Sequence, residues 1–277
     1  MLLVALFTVF PFAFAAVTSL RQRVLTLPGQ TPFVGLRNYT EVIEADLFFT
    51  SVKATALFAT LTVIPVTVLG LAVALLLNQR IRGLGVLRAL VLLPWAIPLV
   101  SAGIIWRLLL HGNFGALNGA LLQLRLTDHY TAWLSDPTWA MVAVAVAHLW
   151  REFPLPAILF LAGLQAIPTD IGEAARVDGA GPWARLRHVT LPLLRGPLLI
   201  VLVYETMISI AIFDLVFVLT GGGPGSATTL FAWYAYVTTF KFLNLGQGAA
   251  LSFLMAAGLL GLILLYLRLV GPHEEAV

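Results

Sequence analysis

The chain has 277 residues, of which 60% are hydrophobic and only 10% are charged. Soluble domains carry about 45–50% apolar and about 25% charged residues, so this composition excludes a soluble globular enzyme and a disordered chain. The absence of cysteine excludes a disulfide scaffold, a thiolate nucleophile and a cysteine-bound metal. The formal net charge of +3 comes from 16 basic and 13 acidic residues without a basic tract, so nothing indicates nucleic-acid binding. What remains is a protein that crosses a membrane several times.

Six stretches of the chain are apolar over the roughly 20 residues that a membrane-spanning helix needs. In chain order they cover residues 2–20, 52–77, 84–110, 139–164, 196–220 and 248–269. The stretches are long and lack the alternation of β-barrel strands. We therefore predict an all-α integral membrane protein with six transmembrane helices. Because the sequence has no internal repeat and no linker, we interpret residues 1–277 as a single transmembrane domain.

The first apolar stretch also permits interpretation as a cleaved signal peptide, because residues 13–16 are rich in alanine. No basic residue precedes this stretch, and it is longer than the 7–15 residues of a signal-peptide core. These two features favour a membrane helix.

Arginine and lysine residues near the ends of the spans indicate the orientation of a membrane protein. One side carries eight of them: Arg80, Arg82, Arg88, Arg176, Arg185, Arg187, Arg195 and Arg268. The other side carries seven: Arg21, Arg23, Arg37, Lys53, Arg107, Arg125 and Lys241. The totals of eight and seven do not decide the orientation. Arg21 and Arg23 argue against a cytoplasmic N-terminus. The high density of arginine in the two short connections, between the second and third spans and between the fourth and fifth, favours a cytoplasmic N-terminus. We therefore predict a multi-pass protein of the bacterial cytoplasmic (inner) membrane with both termini in the cytoplasm.

The connections between the spans differ in character. Residues 21–51 and 111–138 are amphipathic and long enough to form short surface helices. Residues 165–195 form a polar stretch between the fourth and fifth spans. We predict two short helices in this stretch, and the second covers residues 182–189.

The first helix of the polar stretch has recognisable start and stop signals. Pro168 ends the preceding span, and Thr169 or Asp170 is the predicted N-cap. Gly179 and Gly181 are predicted to end the helix. On these features alone, an ordinary cytoplasmic connector explains the loop equally well.

The same helix contains a family motif. It consists of Glu173, Ala174, Ala175, Asp178, Gly179 and Ala180, followed by Leu191 and Pro192. This pattern resembles the EAA loop of ABC importer permeases, most closely the sugar-importer permeases of the maltose, trehalose and glycerol-3-phosphate type. The similarity continues through residues 164–168, 213–214 and 219–224, and it is specific between residues 150 and 248. One departure is Leu186, where members of the family usually carry an aromatic residue.

The resemblance implies that residues 165–195 form a cytoplasmic coupling loop of a transmembrane permease domain. In this family the loop docks its helix in a groove of an ATPase subunit. Glu173 would make a charge contact with that subunit. The small residues Ala174, Ala175, Gly179 and Ala180 would allow close docking.

The resemblance also implies a transport function and a set of partners. The chain would be the transmembrane subunit of an ATP-driven importer of a sugar, a disaccharide such as trehalose or maltose. Its partners would be a second, related permease subunit, two cytoplasmic ATPase subunits and an extracytoplasmic sugar-binding protein of the lipoprotein type, within a shell of membrane lipids. Residues 21–51 and 221–226 would face the binding protein.

If transport is driven by ATP, the sequence places ATP hydrolysis on another polypeptide. A phosphate-binding Walker motif needs lysine between glycine and serine or threonine. The two lysines, Lys53 and Lys241, do not have these neighbours, and the glycine-rich residues 221–224 contain no lysine. We therefore expect a transport subunit that is not an enzyme and that has no cofactor. We also expect no metal site, because no HExxH-type spacing is present.

Polar residues within the fourth and fifth spans are candidates for a substrate path. They are His148, Arg151, Glu152, Glu205 and Ser209. A charge at the centre of a bilayer costs roughly 2.5–3.5 kcal/mol, so such residues usually face a protein interior or a pathway. Helical spacing places the first three on one face and the last two on another. Pro154 and Pro156 predict a kink in the fourth span beside these charges.

Two interpretations of these charges remain open. In the first, an ion pair holds the helices together, for example Arg151 with Glu205 or Asp214. In the second, the polar side chains line a hydrophilic sugar path, because carboxylates and arginine form strong hydrogen bonds. Two carboxylates beside one arginine and one histidine favour a neutral sugar over a sugar phosphate.

Two other function classes are weaker alternatives. A proton-coupled secondary transporter would use Glu152, Glu205 and Asp214 as a relay, but it would also show two related halves, which are absent from the sequence. An intramembrane protease would need a nucleophile and a partner histidine within the spans. Only His148 lies in mid-span, and no Gly-x-Ser-Gly pattern lies near it.

Overall fold

The computed structural model describes residues 2–27, 29, 31–79 and 83–270, with side chains from residue 7 onward. Arg80 and Arg82, two of the basic residues that indicate the orientation, lie outside the described residues. Within these ranges the chain is helical, and extended pairing is limited to two isolated bridges, Arg21 with Phe33 and Val24 with Asn244. The predicted all-α class is confirmed.

The described ranges contain fifteen α-helices. They are α1 (Leu2–Ser19), α2 (Arg37–Glu44), α3 (Asp46–Leu77), α4 (Leu84–Ala96), α5 (Leu99–Leu109), α6 (Ala116–Gln123), α7 (Pro137–Glu152), α8 (Pro154–Ala166), α9 (Thr169–Val177), α10 (Pro182–Arg185), α11 (Leu191–Leu193), α12 (Arg195–Ala211), α13 (Asp214–Leu219), α14 (Phe231–Tyr236) and α15 (Leu245–Val270). A 3₁₀ turn covers Trp133–Ser135, and π-helical turns cover Leu186–Thr190 and Val237–Lys241. The predicted surface helices of the two long connections correspond to α2 and α6.

Three helical segments of the described chain are long and apolar enough to cross a membrane. They are Asp46–Leu77, Arg195–Leu219 and Leu245–Val270, and the number rises to five when each of two bent helix pairs counts as one span. The second span begins at Asp46, six residues earlier than the sequence predicts. The described apolar part of α1, Phe7–Ser19, is shorter than these spans. The sixth span therefore stays a prediction.

Two spans are bent where prolines interrupt the backbone ladder. The fourth bends by 42° between α7 and α8, where Pro154 follows Phe153, and this confirms the predicted kink. The third bends by 93° between α4 and α5 at Ile97 and Pro98, and the sequence analysis did not predict this break. A break of this kind frees backbone carbonyls, which a bilayer tolerates only where protein or water meets them.

Two glycines let the central helices approach closely. A Cβ at Gly70 of α3 would lie 2.7 Å from Pro156 Cβ of α8. A Cβ at Gly163 of α8 would lie 2.6 Å from Pro197 Cγ of α12. Small residues at such crossings permit close backbone packing in membranes. The helix α8 is therefore held tightly between the second and fifth spans.

The two ends of the bundle are built from different segments. At one end the Asn38 side-chain amide donates to the carbonyls of Ser19 (2.7 Å) and Arg21 (2.9 Å). The backbone of Leu245 donates to the carbonyl of Arg23 at the same end. At the other end the core cluster around Leu77, Leu164 and Leu194 joins the helices that flank residues 165–195.

Candidate functional site

The predicted first helix of the polar stretch is α9. Asp178 N donates to the carbonyl of Ala174, and Ala180 N donates to the carbonyl of Ala175. Gly179 has φ +80°, which is the left-handed conformation of a glycine that follows a helix C-terminus. The predicted end of the helix is therefore confirmed.

The predicted N-cap of α9 is wrong. The residue before the helix is Pro168, whose side chain makes no capping hydrogen bond to the first turn. Thr169 Oγ1 donates to Asp170 Oδ1 at 3.3 Å instead of accepting from a backbone amide. The second helix is also longer than predicted, because α10, the π-helical turn from Leu186 and α11 form one continuous helical segment up to Leu193.

Most of the motif residues lie on an accessible surface. Glu173, Ala174, Asp178 and Gly179 are exposed, whereas Ala175 and Ala180 are half-buried. Among the described residues, no atom lies within 4 Å of the position that a Cβ at Gly179 would occupy. The loop thus presents an acidic and small-residue surface that can approach another protein closely.

Two large apolar side chains on this loop escaped the sequence analysis. Val177 is 88% exposed at the end of α9, and Trp183 is 72% exposed in α10. Exposed tryptophan is typical of protein interfaces. The signal in the sequence is that both are large apolar residues within an otherwise polar stretch.

Polar residues of the second, fourth and fifth spans form one buried cluster, which we call the intramembrane cluster. Its members are Thr62, His148, Arg151, Glu152, Glu205 and Ser209, from helices α3, α7 and α12. The side chains of His148, Glu152 and Glu205 are 0% exposed, and that of Arg151 is 17% exposed. Helical spacing places the residues of each span on one face, as the sequence predicts, and contacts between α3, α7 and α12 bring these faces together.

Hydrogen bonds connect the three helices at this cluster. Thr62 Oγ1 donates to the carbonyl of Phe58 (2.8 Å) and lies 3.0 Å from Ser209 Oγ. Ser209 Oγ in turn lies 3.4 Å from His148 Nε2. Because the Thr62 proton is used on Phe58, Ser209 donates to Thr62 and accepts from His148. The His148 ring also packs edge-on against the Phe58 ring, with centroids 5.4 Å apart.

The predicted ion pair of Arg151 with Glu205 or Asp214 is wrong. Arg151 Nη1 pairs with Glu152 Oε1, its neighbour in the chain. Arg151 Nε also donates to the carbonyl of Ile97 at 3.5 Å. This carbonyl lies at the break of the third span, so the arginine meets a backbone group that the break leaves without a helical partner.

Several acceptors in the intramembrane cluster lack hydrogen bonds. Both carboxylate oxygens of Glu205, Oε2 of Glu152 and Nδ1 of His148 have no partner in the described part of the chain. The nearest basic atom to Glu205 is His148 Nε2, 3.8 Å from Oε2. Leaving a buried hydrogen-bond acceptor without a partner costs about 1–3 kcal/mol. Such acceptors can receive hydrogen bonds from a ligand that carries several hydroxyl groups.

Two helical segments connect the intramembrane cluster to residues 165–195. Glu205 lies ten residues after Arg195, the first residue of α12, which corresponds to about 15 Å along a helix. Glu152 ends α7 and is separated from the loop by α8 alone. The two helical segments that join the loop are therefore those that lead to the two carboxylates. No group of three or more His, Asp or Glu side chains suited to a metal occurs among the described residues.

Comparison with known proteins identifies the family. The family described as the inner membrane component of binding-protein-dependent transport systems matches residues 67–271. This chain belongs to that family. The resemblance to ABC importer permeases is thereby confirmed, and such permeases are transport subunits and not enzymes. With its apolar spans, the permease is a multi-pass protein of the inner membrane.

Relatives of the permease include sugar transport proteins. It is 40% identical over 268 residues to the trehalose/maltose transport system permease protein MalF of Thermococcus litoralis, with 96% of this chain and 88% of that protein covered. It is 35% identical over 273 residues to the sulfoquinovosyl glycerol transport system permease protein SmoG of Agrobacterium fabrum, with 99% and 88% covered. It is 33% identical over 273 residues to the trehalose transport system permease protein SugA of Mycobacterium tuberculosis, with 98% and 85% covered.

The fold of the permease is also shared with solved structures. It aligns with a bacterial ABC transporter involved in import of the acidic polysaccharide alginate, with a TM-score of 0.82, 19% identity, and coverage of 97% of this chain and 91% of that chain. A structure of the bacterial alginate ABC transporter in complex with an alginate pentasaccharide-bound periplasmic protein matches with a TM-score of 0.82, 19% identity, and coverage of 96% and 89%. These similarities show that the helices of the permease adopt the ABC permease fold.

Proposed function

We propose that the permease is the transmembrane subunit of an ATP-driven importer of a neutral sugar, a disaccharide such as trehalose or maltose. The observation that carries this proposal is the buried Glu205 carboxylate, whose two oxygens have no hydrogen-bond partner in the described chain. The sugar specificity is supported by the names of two relatives, which are described as trehalose/maltose and trehalose transport proteins.

The intramembrane cluster is the proposed sugar site. Sugar hydroxyls would donate to Glu205 and Glu152, and Arg151 would donate to sugar oxygens. His148 and Ser209 would complete the polar wall. Because the cluster is closed in this structure, sugar would enter after α7, α8 and α12 separate. Two carboxylates at this depth disfavour an anionic substrate, since like charges repel in a medium of low dielectric constant.

Residues 165–195 are the proposed coupling loop of a single permease domain that covers residues 1–277. Glu173, Ala174, Ala175, Asp178, Gly179 and Ala180 would dock in a groove of a cytoplasmic ATPase subunit. Val177 and Trp183 would supply the apolar part of the contact. Closure of two such ATPase subunits would move α8 and α12 and open the cluster outward, and hydrolysis would reset it.

The proposed assembly contains further partners. One loop provides one docking point, so a second, related permease would supply the other half of the pathway. An extracytoplasmic sugar-binding protein of the lipoprotein type would deliver sugar to residues 21–51 and 221–226. In a structural neighbour, the ABC transporter is in complex with a periplasmic protein that carries a pentasaccharide. With residues 165–195 in the cytoplasm, both termini would also be cytoplasmic.

Reconstitution of the assembled importer in proteoliposomes tests this function. We expect uptake of radiolabelled trehalose or maltose to require ATP at the ATPase side and the binding protein on the other side. Uptake should persist when an ionophore removes the proton gradient. Uptake that stops with the ionophore and continues without ATP would contradict the proposal and support a proton-coupled transporter that uses Glu152 and Glu205.

A further inference from the structure

A basic cavity lies apart from the intramembrane cluster and from the motif residues of α9. It has a volume of about 360 Å³ and is formed by the segment around α11 and the end of α15. Its polar wall carries Arg187 and Arg195, and its apolar wall carries Leu198, Leu269 and Val270. The cavity thus combines two fixed positive charges with an apolar surface.

The position of the cavity places it at the membrane surface. Arg195 is the first residue of the span Arg195–Leu219, and Val270 is the last residue of the span Leu245–Val270. Leu198 lies within the first turn of α12 and Leu269 within the last turn of α15. The apolar wall therefore lies at the edge of the hydrocarbon layer, and the two arginines lie at the level of lipid headgroups.

The two arginines are available to a ligand. Both are exposed, and neither forms an ion pair within the described part of the chain. The residue before α12, Leu194, provides no side-chain hydrogen bond to the first turn, and this helix end carries partial positive charge. Arginine binds phosphate oxygens with charge-assisted and often bidentate hydrogen bonds.

We propose that this cavity binds the phosphodiester headgroup of an anionic phospholipid such as phosphatidylglycerol. Arg187 and Arg195 hold the phosphate, and one acyl chain lies along Leu198, Leu269 and Val270. Basic pockets between membrane helices on the cytoplasmic side bind anionic lipid headgroups in this way. The apolar wall favours a lipid over free phosphate, because free phosphate has no acyl chain to cover that wall. The bound lipid ties the last part of the coupling loop, residues 187–195, to the end of α15.

Lipid retention by the purified complex tests this site. The complex is exchanged into nanodiscs of phosphatidylcholine and phosphatidylglycerol, extracted in mild detergent and analysed for retained lipid by mass spectrometry. We expect phosphatidylglycerol to be retained in preference to phosphatidylcholine. Arg187→Gln and Arg195→Gln should each reduce this preference about fivefold, and the double variant should reduce it about 25-fold. The matched control is Arg268→Gln, because Arg268 is exposed at the same membrane surface but does not line the cavity.

Three results would overturn the proposal. An equal loss of preference in Arg268→Gln would indicate general attraction of anionic lipid to the surface. For the second, excess inorganic phosphate is added to the complex in nanodiscs of phosphatidylcholine alone. If it protects the complex against heat as much as phosphatidylglycerol does, the cavity binds a soluble anion. A preference that appears only after deletion of residues 271–277 would assign the cavity to the acidic residues Glu274 and Glu275.

Discussion

Replacing Glu205 with alanine is expected to abolish sugar uptake while the complex still assembles with its partner subunits. Hydrogen bonds to charged groups contribute about 1.5–3 kcal/mol each, and the carboxylate offers two free oxygens. Loss of two such bonds lowers uptake by at least 100-fold, because each 1.4 kcal/mol corresponds to a factor of ten. Uptake of labelled sugar in proteoliposomes measures the effect. The matched control is Met207→Ala on the same helix, since Met207 is exposed on the outside of α12.

Thermal stability distinguishes a sugar site from a structural ion pair at the same position. If Glu205 serves the sugar, its buried carboxyl oxygens have no hydrogen-bond partner within the described chain, and Glu205→Gln should leave the melting temperature unchanged or raise it. If Glu205 holds the helices together through His148, the same substitution should lower the melting temperature and release the partner subunits. The second result would contradict the proposed role, whatever happens to uptake.

Glu173→Lys is expected to leave the permease inserted in the membrane but to weaken its association with the ATPase and to stop transport. Glu173 is exposed on α9, so the substitution leaves the fold of the chain unchanged. A reversed charge at a complementary interface costs several kcal/mol, which corresponds to a loss of association of more than 100-fold. Copurification with the ATPase and uptake in the same preparation measure both effects.

Two further variants complete this experiment. Val177→Asp should weaken the association in the same way, because it places a charge on the most exposed large apolar side chain of the loop. Asp128→Lys is the matched control, since it makes the same type of charge reversal at an exposed position in the connection of residues 111–138. Wild-type uptake in both Glu173→Lys and Val177→Asp would remove the coupling role from α9.

Much of the fold follows from local features of the sequence. Long apolar runs predict the spans because the bilayer requires about 20 apolar residues for each crossing. Gly179 predicts the end of α9 because a left-handed residue after a helix favours glycine. Pro154 predicts the bend of the fourth span because its ring removes a backbone hydrogen bond.

The remaining features depend on contacts between distant parts of the chain. Thr62 joins the intramembrane cluster across 147 residues from Ser209, and nothing near Thr62 in the sequence indicates this contact. Arg151 pairs with Glu152 and also donates to the Ile97 carbonyl at the break of the third span. The sequence analysis did not predict that break, so the choice of Glu205 or Asp214 as the partner of Arg151 was wrong.

The central claim, that α9 receives force from a separate ATPase, is tested most directly by site-specific crosslinking. The chain has no cysteine, so Ala174→Cys carries the only thiol for a photoreactive maleimide. The matched control is Ala120→Cys, because Ala120 is exposed on α6 in the connection of residues 111–138. We expect illumination of the assembled complex to join Ala174→Cys to the ATPase subunit and to give no such product with Ala120→Cys. Absence of the ATPase adduct at position 174 in a complex that still performs ATP-driven uptake would contradict the account.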